Sequence, residues 1–113
     1  MTNETEHLAK TLAFILSVIL DSDAQKRQRI ALAYQEAEQL VAAIDNGDAR
    51  PRIEACVKRF DRYKVAGDVA CAGWMLKAVQ ERVEERNLRG WRKLQKVIDQ
   101  ASKLLLLAAP TRH

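Results

Sequence analysis

The stretch Leu8–Leu20, LAKTLAFILSVIL, decides the fold class, because it carries more apolar surface than one helix on the rim of a small domain can bury. At about 100° per residue, Leu8, Leu12, Ile15, Leu16 and Ile19 share one face. His7, Thr11, Phe14 and Val18 make a second stripe, spaced four, three and four. One face takes the core, and the other needs either further helices of the same chain or a partner. A membrane span requires about 20 apolar residues, whereas this run has Lys10 inside it and ends after 13. A secretory signal fits no better: Glu4 and Glu6 occupy the place of a basic leader, and Asp21-Ser22-Asp23 stands where a cleavage site belongs.

Outward from this helix the chain reads as helical throughout. Four Gly and two Pro stand at positions compatible with helices, and no alternating β-branched run reads as a strand. At 113 residues the chain is long enough for one domain with its own core. Residues 1–109 are expected to form that domain and residues 110–113 a short tail. Asn3 and Glu6 have the spacing of a capping pair, and Asp21-Ser22-Asp23 ends the first helix. Ser22 with Gln25 offers a capping box for a second helix over 23–45, which Asn46-Gly47 closes. Its seam is Ile30, Tyr34, Ala37, Val41 and Ile44, a heptad-like spacing that favours shallow-angle packing.

A third helix is expected after Asp48, with Pro51 in its first turn and Ile53, Cys56, Val57, Phe60 and Tyr63 inward. Arg52, Lys58, Arg59 and Arg62 form a basic surface on its other side. Gly67 and Asp68 mark a stop and a restart. The next helix turns Val69, Ala72, Met75, Leu76, Val79 and Val83 inward, and Trp74 falls off that face near Lys77, Ala78 and Glu81, either as a surface binding anchor or as a peripheral core residue covered by the first helix or by Leu106-Leu107. Gly90 in NLRGW is a loop or a kink, so the last two helices are either separate or continuous. The final helix faces the core with Trp91, Leu94, Val97, Ile98, Ala101, Leu104 and Leu105. Leu106 and Leu107 fall outward until Pro110 stops it. The expected architecture is a compact bundle of four to five helices, paired as a dimer.

Charge divides the chain unequally. The net charge is +4, but residues 1–47 carry four basic and seven acidic groups and residues 48–113 carry fifteen and eight. A basic half attracts nucleic acid, an anionic membrane or an acidic protein. A helix-turn-helix would follow its turn with a polar, basic recognition helix, yet the segment after Gly67 opens Asp-Val-Ala-Cys-Ala-Gly.

No phosphate-binding loop, nucleophile elbow, zinc-protease motif or paired-cysteine motif occurs. His7 and His113 lie at opposite ends of the chain. Glu81, Glu84 and Glu85 alternate with Arg82, Arg86 and Arg89 and read as a solvated face. Cys56 and Cys71 are offset by roughly 10 Å across a turn at Gly67, farther than a disulfide reaches. No catalytic residue, metal or cofactor is expected, and two thiols without a leader suit the cytoplasm. The apolar residues that periodicity leaves over are Phe14, Val18, Leu32, Trp74, Leu106 and Leu107. They point to a non-enzymatic protein that binds another protein, such as an inhibitor or antiactivator of a transcription regulator or an adaptor, and that pairs with itself. A basic nucleic-acid-binding protein is the alternative.

Overall fold

Helix α1 (Asn3–Leu20) forms over the decisive stretch, and Leu8, Leu12, Ile15 and Ile19 are its buried line. The computed structural model describes residues 3–43 and 68–108. Within them the chain is entirely helical, with no strand: α2 (Ala24–Ala43), α3 (Asp68–Glu84) and α4 (Trp91–Ala108) complete the set. The helix expected after Asp48, its basic residues Arg52, Lys58, Arg59 and Arg62, Cys56 and the tail lie outside the described residues. No described helix is long and apolar enough to cross a membrane.

Helix α1 ends where the acidic turn begins. The Asp21 amide donates to the Ser17 carbonyl at 3.0 Å, and the Ser22 hydroxyl donates to the Ile19 carbonyl at 2.7 Å. The cap of α2 is therefore Asp23 rather than the expected Ser22: Asp23 Oδ1 accepts the Lys26 amide at 2.8 Å, satisfying an amide that has no partner inside the helix. Between α3 and α4 the chain breaks rather than bends. Arg86 has φ 57° and Gly90 has φ 83°, two left-handed residues that no continuous α-helix accommodates.

Among the four described helices, α1 and α2 each pack on α3 and on α4, so α1 lies across from α2 and α3 across from α4. Each helix packs against its two flanking neighbours, and α2 with α3 makes the most extensive contact. That contact is close because Gly73 meets Ala33: a Cβ built on Gly73 would fall 2.6 Å from the Tyr34 amide nitrogen and 2.7 Å from Ala33 Cβ. Side chains from all four helices fill the centre, among them Leu12, Ile15, Ile30, Leu76, Val79 and Ile98.

Helix α3 is enclosed on more than one face. Ala72, Leu76, Val79 and Val83 point to the core as periodicity requires, but Cys71, Trp74, Ala78 and Glu81 are buried as well. Trp74 is 3% exposed, which decides between its two readings against the surface anchor: it is an interior residue. Glu81 is corrected with it. Instead of a solvated carboxylate, it is a buried one 2.8 Å from the Lys77 ammonium, one helical turn away and itself buried. Two opposite charges that satisfy each other reduce the cost of leaving water, which is how a charged stripe comes to face inward.

Candidate interaction surface

Five large apolar side chains remain at the surface of the described residues. Leu106 is 76% and Leu107 87% exposed, Leu20 55%, Leu32 42% and Phe14 41%. Four of them are the residues left over by periodicity. Leu20 is not among them; it stands at the edge of the inner face, about 40° beyond the half-buried Leu16. Val18 is half-buried and packs against the core, so the second stripe of α1 is divided: Val18 turns in, while His7 and Phe14 stay out.

The outward side of α1 is apolar over its last three turns. From Thr11 to Leu20 it carries no charge, and Ala13, Phe14, Ser17 and Leu20 are exposed. Thr11 spends its hydroxyl on the His7 carbonyl at 2.9 Å, adding nothing polar to that side. The opposite end of the helix is tied down by polar contacts. Arg82 of α3 donates from Nε and Nη2 to the two carboxylate oxygens of Glu4, each at 2.8 Å, and from Nη1 to Glu85 at 2.6 Å. Glu4 thus helps hold the Arg82 guanidinium above its ordinary range. Thr5 donates to the Arg89 carbonyl at 3.0 Å. Glu85 therefore pairs with Arg82, three residues before it.

A groove of about 640 Å³ runs between α2 and α4. Ala31, Tyr34, Gln35 and Glu38 form one wall, spaced along a single face of α2; Asp99, Ser102, Lys103, Leu105 and Leu106 form the other. Small residues close α2 onto α3, whereas Tyr34 and the leucines of α4 occupy the α2–α4 side. Leu106 brings one of the most exposed apolar side chains to its edge. The volume falls within the range of ordinary ligand and peptide clefts.

Tyr34 joins the groove to the interior. Its hydroxyl donates to Gln80 Oε1 on α3, and Gln80 Nε2 donates to Glu84 at 3.2 Å. Burial first, and then the carboxylates of Glu38, Glu84 and Glu81, push the phenol up to about 12 from its ordinary 10. The folded state therefore holds this proton more tightly than the unfolded chain. The stabilisation is full below pH 10 and is lost as the pH rises from 10 towards 12. In urea titrations over that window the parent midpoint should decline more steeply than that of Tyr34→Phe. Parallel curves would detach Tyr34 from the alkaline transition.

No group of three or more His, Cys, Asp or Glu placed to hold a metal occurs among the described residues. The chain matches no protein-family model, and comparison with curated proteins and with solved structures returns no similar protein.

Proposed function

We propose that this chain is a protein-binding module of the cytoplasm that acts stoichiometrically, without catalysis, by covering or bridging a larger partner. Inhibition of a transcription regulator is one form of that action, and adaptor service is another. The observation that carries the reading is the Leu106-Leu107 pair, 76% and 87% exposed on the last turn of α4 and continuous with the apolar edge of the α2–α4 groove. Isolated surface leucines are ordinary, but contiguous ones beside a groove offer the desolvated centre that binding energy concentrates in. A partner helix with an apolar stripe suits such a cleft. The uncharged outer side of α1, centred on Phe14, is the surface for a second copy of this chain.

Two variants separate these roles. Phe14→Glu places a charge that pairing would desolvate, and it avoids Val18, whose substitution would also disturb the core. Light scattering should find the parent dimeric at micromolar concentration and Phe14→Glu monomeric, with unchanged helical circular dichroism. Leu106→Glu combined with Leu107→Glu should remain dimeric and lose the partner that the parent captures stoichiometrically from its host. A parent that is monomeric at every concentration removes α1 pairing, and a double variant that retains the partner removes the groove.

A further inference from the structure

Helix α4 turns a predominantly basic face to the solvent, with the exposed Asp99 among its cations. Arg92, Lys93, Lys96 and Lys103 are all exposed, and Arg86 and Arg89 in the preceding turn extend the same charge. No acidic residue occurs between Glu85 and Asp99. The carboxylates nearby are engaged elsewhere: Glu4 and Glu85 on Arg82, Glu81 on Lys77, and Asp99 with the side-chain amide of Gln95 at 2.9 Å. Among the described residues no carboxylate pairs with any of these six cations. Trp91, half-buried against the core, steadies two of them. The Arg86 guanidinium lies 5.2 Å and the Arg92 guanidinium 5.5 Å from its ring centroid, within cation–π range.

We propose that this face is a docking track for the phosphate backbone of a nucleic-acid duplex, bound without regard to sequence. The length fits. From Arg92 to Lys103 the helix advances about 17 Å, over which one strand of a duplex passes about five phosphates. Charge complementarity selects the occupant over two others. A membrane would need an apolar face to insert, and the apolar face of α4, Leu94, Ile98, Ala101 and Leu105, is spent on the core. A protein interface needs a desolvated apolar centre, and between Lys96 and Lys103 the exposed residues are Asp99 and Gln100. Side chains that contact phosphates fix position and carry no base information, so the track is non-specific. The track meets the α2–α4 groove at Lys103, which lines it beside Leu106, whereas Arg92, Lys93 and Lys96 do not line it.

Fluorescence anisotropy with a short labelled DNA duplex tests it. The parent should bind at about 50 mM salt, and log K should fall against log salt with a slope of about −3 or steeper, since each phosphate neutralised contributes about −0.9. Lys93→Gln, Lys96→Gln and Lys103→Gln together should lower affinity at least about tenfold and flatten the slope by about two to three, with helical circular dichroism unchanged. An equal loss of charge elsewhere, by Lys10→Gln, Lys26→Gln and Arg29→Gln, should leave the slope as it was. Leu106→Gln with Leu107→Gln, which removes the apolar pair without adding charge beside Lys103, should still bind DNA, so failure of the partner reading and failure of this one are separable. Absence of binding at low salt, an unchanged slope in the α4 triple variant, equal loss in the control triple, or equal binding to anionic vesicles or polyglutamate would each overturn the track.

Discussion

Gly73→Ala is expected to lower the thermal midpoint by about 10 °C, although alanine is the better helix former. In an open helix the exchange would gain up to about 1 kcal/mol. Here the new methyl would fall 2.6 Å from the Tyr34 amide nitrogen, 2.7 Å from Ala33 Cβ and 2.8 Å from the Ala33 carbonyl carbon. Two of those atoms are backbone, so no side chain can rotate away and α2 itself must retreat. Overpacking costs about 1–3 kcal/mol and occasionally more, and retreat loosens the most extensive helix contact in the bundle. A cost at the upper end of that range, less the propensity gain, leaves a net loss of about 2 kcal/mol, which at about 5 °C per kcal/mol gives the expected shift. Thermal melts followed by circular dichroism measure it directly. A midpoint at or above that of the parent would mean that α2 and α3 part without penalty, contrary to the close approach at Ala33.

The second large effect belongs to Trp74→Ala. The indole is 3% exposed on a face of α3 shared with Cys71 and Ala78, both buried. Truncating a buried tryptophan removes its transfer energy and leaves a cavity, together about 3–5 kcal/mol. Urea unfolding should show that loss as a lower midpoint, while Trp74→Phe, which keeps a ring in the site, should lose less. Captured partner and dimer formation, measured below the midpoint, should match the parent. A variant of parental stability that no longer pairs or captures would return Trp74 to the surface and contradict its burial.

The burial of Trp74 also shows where sequence periodicity stops being informative. Helix α1 was legible because Leu8, Leu12, Ile15 and Ile19 are large, apolar and on one face, and all four are buried. Its end was legible because three polar residues interrupt an apolar run. The turn at Gly90 was legible as a break or a kink, and its φ of 83° makes it a break. Helix α3 resisted because it is enclosed on a second face made of Cys71, Trp74, Ala78 and Glu81. Small and charged residues do not announce burial, and the interior position of Glu81 depends on Lys77 meeting it at 2.8 Å, a spacing equally natural on a solvated surface. On the candidate surface, Leu106 and Leu107 could be read from phase alone. The groove beside them could not, because it depends on how far α2 and α4 stand apart, and no single-helix pattern encodes that distance.

The diagonal placement of α1 and α2 has a consequence for synthesis. Consecutive in the chain, these two helices share the least contact of any pair, and α1 instead packs on α3 and α4. A ribosome adds roughly 5–20 residues per second, so Leu12, Ile15 and Ile19 emerge several seconds before α4 exists to receive them. Until α3 and α4 emerge, the most apolar of the described helices lacks the two described helices on which it packs. The nascent chain therefore passes through a stage in which its N-terminal segment is an exposed hydrophobic peptide, open to chaperones and to neighbouring nascent chains. Among the described helices, the burial of α1 is completed by α4, the last of them in the chain.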